Sequence, residues 1–137
     1  MKIGARTCCS ASPTTGAHVA NGNPGFGYST IMLAYWVRQR QIMSLEDAIK
    51  KLTFLPASLF GIRDRGLLRR GMAADVVVFD PEKIDLAETE KVHDLPEGAP
   101  RYIQRAKGIH YSIVNGTVLM KNGAHTGRYP GQVLRSV

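Results

Sequence analysis

The sequence predicts an α+β fold in which helices come first and a small antiparallel sheet follows. Apolar residues recur at helical spacing in the first part of the chain and form short β-branched runs after about residue 62. The clearest run, Val-Val-Val-Phe at 76–79, is closed by Asp-Pro and is typical of a buried strand. An Asn-Gly pair at 115–116 is the strongest short hairpin signal in the chain. The predicted strands are 74–79, 110–114 and 117–121.

Three helices are predicted before these strands. The first is capped by Ser29 or Thr30, continues to about Arg40, and is apolar over much of its circumference. The second starts after Ser44, where Ser-Leu-Glu-Asp has the form of a capping box. The third is short, with a proline in its first turn and Gly61 beyond its end.

The segments outside these elements give weaker signals. Residues 1–15 show neither helical nor strand periodicity, and 81–108 is polar and rich in proline, so we expect a long surface excursion there with at most one helical turn. A second Asn-Gly pair, at 122–123, is expected to end the hairpin. Asp75 precedes the main strand, where its carboxylate can accept hydrogen bonds from turn N–H groups.

The bulk composition is that of a soluble globular domain. The chain has 137 residues, 44% of them apolar and 21% charged, and its 18 basic and 11 acidic residues give a net charge of +7. The basic residues are scattered and no nucleic-acid-binding motif accompanies them, so charge-driven nucleic-acid binding is the minor alternative. No apolar stretch of membrane-spanning length or leader peptide is recognised, and a cytoplasmic location is expected. Cys8 and Cys9 are adjacent and lack zinc-site spacing.

Residues 66–80 resemble a signature found near the end of metal-dependent amidohydrolase chains. The segment reads Gly-Leu-Leu-Arg-Arg-Gly-Met-Ala-Ala-Asp-Val-Val-Val-Phe-Asp. Further segments are similar to one branch, the N-acyl-D-amino-acid deacylases, and the resemblance covers about 16–136. These segments are Trp36-Val37-Arg38, Ser44–Ala48, Leu55-Pro56-Ala57 with Phe60-Gly61, Asp64-Arg65-Gly66, His93–Pro96, Gln104-Arg105-Ala106, Val114-Asn115-Gly116, Thr126-Gly127 and Pro130-Gly131.

The resemblance implies where each part of the chain belongs. Residues 1–61 would be a remnant of the last βα segment of a TIM-type (β/α) barrel. Residues 62–137 would be the C-terminal part of the small β-sandwich that both chain ends build in the family. The predicted helices therefore correspond to the end of the barrel, and the predicted sheet to the composite β-sandwich.

The family's chemistry is hydrolysis of an amide C–N bond with a metal, usually zinc, whose ligands lie on earlier barrel strands that this chain does not possess. The resemblance places a catalytic aspartate in a Ser-Asp-x-Gly segment, but here those positions read Pro13-Thr14-Thr15-Gly16. Threonine cannot take up a proton near neutral pH. We therefore expect no catalytic residue and no metal ligand in this chain. His18 is the remaining candidate substrate-binding residue, with a structural or incidental role as the alternative.

The first residues have a second possible origin. Synonymous codons exist for Cys9–Gly16 that give Leu-Gly-Val-Ser-Asp-Asp-Gly when read one nucleotide earlier, which restores the family motif with its aspartate. One hypothesis is that residues 1–15 are an out-of-frame reading, and the alternative is a divergent start. The nucleotide sequence of the gene distinguishes the two.

Two functions are compatible with these observations. In the first, the chain is the C-terminal fragment of an amidohydrolase acting on N-acyl amino acids. Alone it would be inactive and without zinc, and it would bind an N-acyl amino acid only together with the missing barrel. In the second, it is a non-catalytic oligomeric binding or structural fragment. In either case we expect a homo-oligomer, because a first helix that is apolar on most sides would otherwise expose several large side chains around 31–37.

Overall fold

The computed structural model describes the backbone of residues 2–5 and the whole of residues 27–134. Helices precede an antiparallel sheet in the described residues, which confirms the α+β class. The elements are β1 (Lys2–Ala5), α1 (Tyr28–Ile31), a π-helix (Met32–Gln39), α2 (Leu45–Leu52), α3 (Phe54–Leu59), β2 (Val76–Phe79), β3 (Asp85–Val92), a 3₁₀ turn (Pro96–Gly98), β4 (Arg101–Lys107), β5 (Ile109–Val114), β6 (Thr117–Lys121) and β7 (Ala124–His125).

The first helix has two parts. Its α-helical turn begins at Tyr28 after Gly27, and no side chain caps it, so the predicted cap at Ser29 or Thr30 is wrong. From Met32 the helix widens to π-helical geometry, and its last turn is closed by the Arg40 amide, which donates to the Tyr35 carbonyl over 2.8 Å. The predicted end near Arg40 is confirmed.

The two following helices match their sequence signals. Ser44 caps α2, because its Oγ accepts a hydrogen bond of 3.0 Å from the Asp47 amide. Helix α3 ends at Leu59, and Gly61 adopts φ +67° directly beyond it. This left-handed conformation is one that glycine adopts without steric cost.

The main sheet has five antiparallel strands in the order β1-β2-β5-β6-β7. The β5–β6 hairpin turns through Asn115 (φ +47°) and Gly116 (φ +76°), as predicted. Asn122 and Gly123 repeat this geometry (φ +48° and +82°). They follow the last residue of β6 and end the β5–β6 hairpin, as predicted, and they also form the turn of a second hairpin, to β7.

Two further segments form strands that the sequence did not predict. Backbone residues 2–5 pair antiparallel with β2, with Lys2 opposite Phe79 and Ala5 opposite Val76. The expected irregular excursion 81–108 contains the antiparallel pair β3–β4. Seven of the fifteen residues in these strands are exposed, and Ile103 is the one buried residue among them.

The core lies between the first two helices and the end of β2. Its buried members are Leu33, Ala48, Phe79 and Ile84. Partly buried apolar side chains surround them: Met32, Val37, Met43, Leu45, Ile49, Leu52, Val77 and Ile109. Between residues 31 and 37, Trp36 is the one exposed side chain, at 42%. The premise that this helix exposes several large apolar groups is therefore wrong, because helix α2 and the end of β2 cover it.

Within residues 27–134 no helix has the length and apolar character needed to cross a bilayer. The cytoplasmic location stays a prediction.

Candidate functional site

The segment that resembles the amidohydrolase signature begins where the helices meet the sheet. Gly66 has φ +89°, and a Cβ at this position would lie 2.9 Å from the Ala57 Cβ and 3.1 Å from the Thr53 carbonyl oxygen. Any larger residue would meet helix α3 or the end of α2. The first glycine of the signature therefore permits close packing of the segment between α3 and β2 on the helices.

The residue before it, Arg65, is the centre of a buried polar cluster. Its Nη1 donates to the carboxylate of Asp75, and its Nη2 donates to Asn115 Oδ1 over 2.7 Å. The second carboxylate oxygen of Asp75 accepts a 2.8 Å hydrogen bond from the Asn115 amide. Asn115 Nδ2 donates to the Pro130 carbonyl over 2.7 Å. We call these four residues the Arg65 cluster.

The Arg65 cluster has a structural role. A guanidinium offers only donors, and both oxygens of Asp75 accept hydrogen bonds within the cluster. The Arg65 Nε makes no hydrogen bond, although the Asp64 carboxylate lies 3.8 Å from it. The predicted role of Asp75 as an acceptor for turn N–H groups is confirmed, because it accepts from the Asn115 amide at the β5–β6 turn.

A second arginine fixes the first helix to the start of β3. Arg38 Nη1 donates to the carbonyls of Glu82 and Ile84, and its Nη2 lies 3.0 Å from the Asp85 carboxylate. The guanidinium thus holds the turn that carries the core residue Ile84. Arg38 stands out in the sequence only as part of the family resemblance, because its partners lie more than 40 positions away.

The predicted site residues fall mainly outside the described part of the chain. His18, Pro13–Gly16 and the segment of the reading-frame hypothesis all lie within residues 6–26, outside the described residues. Two of the other three histidines make local contacts through their rings. His93 Nδ1 lies 3.0 Å from the Gly98 carbonyl, and His125 Nδ1 accepts from the Gly127 amide over 2.9 Å.

Residues 27–134 contain no group of three or more His, Cys, Asp or Glu side chains that could hold a metal ion. The donor set of the described part of the chain therefore does not fit a zinc site.

Two surface carboxyl groups have shifted pKa values. The hydrogen bond from Arg101 lowers the pKa of Asp94 below its ordinary 3.8 and raises that of the guanidinium. The amide of Glu82 donates to Asp80 and lowers the pKa of that carboxyl, with a smaller effect of Lys83. Both groups stabilise turns beside strands.

Comparison with known proteins identifies the family of this chain. The amidohydrolase family profile matches residues 9–120, and the chain belongs to this family. An N-acyl-D-aspartate deacylase from Alcaligenes xylosoxydans xylosoxydans is 42% identical over 110 residues, which are 80% of this chain and 20% of the relative. An N-acyl-D-glutamate deacylase from the same organism is 35% identical over 129 residues, 93% of this chain and 24% of the relative.

Solved structures place the chain on the D-aminoacylase branch of that family. An N-acyl-D-glutamate deacylase from Bordetella bronchiseptica, solved with zinc and a phosphonate inhibitor, aligns with a TM-score of 0.57 at 38% identity over 77% of this chain and 20% of its own. A D-aminoacylase mutant solved with copper chloride gives a TM-score of 0.60 at 33% identity, again over 77% and 20%. The chain thus spans about a fifth to a quarter of the length of these relatives.

Proposed function

We propose that this chain supplies the C-terminal segment of an enzyme that hydrolyses the amide bond of N-acyl-D-amino acids. The observation that carries the proposal is its 42% identity with an N-acyl-D-aspartate deacylase over 80% of its own length and only 20% of that relative. Relatives named for aspartate and glutamate substrates make N-acyl derivatives of acidic D-amino acids the first substrates to test.

In such an enzyme the chain would have a scaffolding role. Residues 1–61 would contribute the last βα part of the barrel, and 62–137 would contribute to the β-sandwich. Gly66 and the Arg65 cluster support this assignment. Gly66 packs closely against the helices, and the Arg65 cluster joins the segment after α3 to the sheet by buried hydrogen bonds.

The reacting groups would come mainly from elsewhere in the complete polypeptide. The described residues do not fit a zinc site, so the metal ligands would lie in other parts of the enzyme. His18 would contact the substrate, and Thr14 or Thr15 stands at the position where the family resemblance places an aspartate. The isolated chain would therefore bind no catalytic zinc and would not hydrolyse N-acyl amino acids.

A chimera tests the proposal. Residues 9–137 of this chain replace the matching C-terminal part of the N-acyl-D-aspartate deacylase, once unchanged and once with Thr14→Asp. We expect both chimeras to fold and bind zinc, and hydrolysis of N-acetyl-D-aspartate only in the Thr14→Asp form, with N-acetyl-L-aspartate as the control substrate. Stoichiometric zinc and turnover by the isolated chain would contradict the proposal, as would a folded, zinc-loaded Thr14→Asp chimera without activity.

The alternative function, a non-catalytic oligomeric fragment, is favoured by a different observation. Leu59 and Phe60 at the end of α3 are 82% and 60% exposed. We infer that the isolated chain covers such side chains by forming a homo-oligomer. Light scattering at micromolar concentration checks this inference, and a well-folded monomer would contradict it.

A further inference from the structure

Two Asn-Gly pairs of the chain lie in turns of the same backbone geometry. Asn115 and Asn122 have φ +47° and +48°, and the glycines that follow them have φ +76° and +82°. Both turns join neighbouring strands of the main sheet. A difference in reactivity between the two asparagines in the folded chain must therefore come from the hydrogen bonds around them or from the residues that flank them.

An Asn-Gly pair is prone to one reaction of its own. The backbone nitrogen of the glycine loses its proton and attacks the asparagine Cγ, because glycine has no Cβ that obstructs the approach. A C–N bond forms, the Cγ–Nδ2 bond breaks, and Nδ2 leaves as ammonia, which gives a five-membered succinimide. Water then opens the ring at either carbonyl and leaves aspartate or isoaspartate. The reaction consumes one water, releases one ammonia and needs no oxidant or reductant.

At Asn115 the structure hinders both reacting groups. Its Nδ2 donates to the Pro130 carbonyl over 2.7 Å, and its Oδ1 accepts from Arg65 over 2.7 Å. The nucleophile is engaged as well, since the Gly116 amide donates to the Ala74 carbonyl over 3.0 Å. The charge of Arg65 polarises the Cγ–Oδ1 bond, but this helps the attack only once Cγ is within reach. Cγ can turn toward the Gly116 nitrogen only after hydrogen bonds break, and each of them adds to the barrier.

At Asn122 neither reacting group is engaged. Asn122 and Gly123 are both exposed to solvent, whereas Asn115 is partly buried. Within residues 27–134 the structure shows no hydrogen bond of the Asn122 side chain or of the Gly123 amide. The Asn122 amide donates to the His110 carbonyl over 2.7 Å, which holds the backbone and leaves the side chain free to rotate.

We propose that Asn122 is a site of spontaneous deamidation in the folded chain, and that the hydrogen bonds around Asn115 and Gly116 protect the other Asn-Gly pair. The reaction needs no other part of the enzyme and does not rest on the proposed function. It places a negative charge in the turn between β6 and β7, and the isoaspartate product also lengthens the main chain there. Because β7 is a two-residue strand at the edge of the sheet, the modified turn lies outside the core.

The test follows both sites in the intact chain during incubation in mildly alkaline buffer. Peptide mapping by mass spectrometry measures the deamidated fraction at each site, and a methyltransferase specific for isoaspartate labels that product. We expect Asn122 to react at least about tenfold faster than Asn115 in buffer. In concentrated urea, where the fold is lost, the two rates should become comparable. Asn122→Gln is the control, because it removes the path through the five-membered ring, and it should abolish the isoaspartate label in the folded chain.

The outcomes decide both halves of the proposal. Equal rates in buffer, or a faster reaction at Asn115, would overturn it. A tenfold difference that persists in urea would also overturn it, because the preceding residues Val114 and Lys121 would then set the rates instead of the fold. A rate at Asn115 that rises in urea while the rate at Asn122 changes little is the result that supports protection by the hydrogen bonds.

Discussion

Arg65 and Asp75 form an ion pair in which both side chains are more than nine-tenths buried, at 6% and 7% exposure. The pair joins the segment that leaves α3 to the residue that enters β2. Asn115 bonds to both partners and adds the β5–β6 turn. One guanidinium and one carboxylate thus hold together the segment after α3, the start of β2 and the β5–β6 turn.

Replacing Asp75 by asparagine should destabilise the chain strongly. The substitution removes the only buried carboxylate beside the Arg65 guanidinium in the described residues and leaves the exposed Asp64 as its counter-charge, which costs up to about 3–5 kcal/mol. Urea unfolding of the isolated chain measures the change. Asp64→Asn is the matched control, because that carboxylate is 61% exposed and 3.8 Å from Arg65, and it should cost less than about 1 kcal/mol. Equal effects of the two substitutions would contradict a structural role for the buried pair.

Gly66→Ala should be more harmful than Gly71→Ala. Both glycines have similar φ, +89° and +86°, so an alanine meets the same backbone strain of about 1–2 kcal/mol at either position. At Gly71 a Cβ meets nothing within 4 Å, whereas at Gly66 it meets Ala57 at 2.9 Å. The difference between the two unfolding free energies isolates the close packing, and we expect about 1–3 kcal/mol. A difference of zero would mean that helix α3 can move away without cost.

The two Asn-Gly turns offer a second matched pair. Asn115 and Asn122 have φ +47° and +48°, so alanine at either position has the same conformational cost. Only at Asn115 does the structure show side-chain hydrogen bonds, to Arg65 and to the Pro130 carbonyl. Asn115→Ala should therefore destabilise the chain by about 1–3 kcal/mol more than Asn122→Ala in thermal or urea unfolding. A larger loss of unfolding free energy in Asn122→Ala than in Asn115→Ala would contradict this prediction.

The Asp94–Arg101 pair should make the β3–β4 hairpin sensitive to acid. Arg101 lowers the pKa of Asp94 below 3.8 in the folded state, so the stabilisation is present above that value. It is lost as the pH falls through the lower folded pKa. Carboxyl ¹³C shifts should show a titration midpoint for Asp94 below 3.8, and Arg101→Gln should move it back up. An unchanged midpoint in Arg101→Gln would show that the bidentate contact is absent in solution.

Short-range signals in the sequence predicted much of the fold correctly. The Ser44 cap, the Gly61 helix end and the Asn115-Gly116 turn each depend on groups within about four residues of one another. The strand at 76–79 is apolar enough to be recognised without its neighbours. The same kind of information failed for β3 and β4, since polar strands depend on pairing with each other and not on their own composition.

The candidate site could be predicted from the sequence less completely than the fold. The amidohydrolase family was recognised from the 66–80 segment, and the match over residues 9–120 confirms it. The D-aminoacylase branch was recognised from the further segments, and the similarity to an N-acyl-D-aspartate deacylase confirms it. The role of His18 stays a prediction, as it lies outside the described residues. The contacts of Arg38 could not be predicted, because two of its three acceptors are backbone carbonyls that any sequence carries and the third, Asp85, is 47 positions away.

The sequence by itself determined the helix boundaries set by Ser44 and Gly61, the hairpin at Asn115 and the family of the chain. Only the tertiary structure decided that Arg65 pairs with Asp75 and Asn115, and that the outer side of α3 stays exposed while the first helix is covered. The reason is physical. Caps and turns are settled by neighbouring backbone groups, whereas the burial of a charge or a helix face depends on segments up to 50 residues away that meet only in the folded chain.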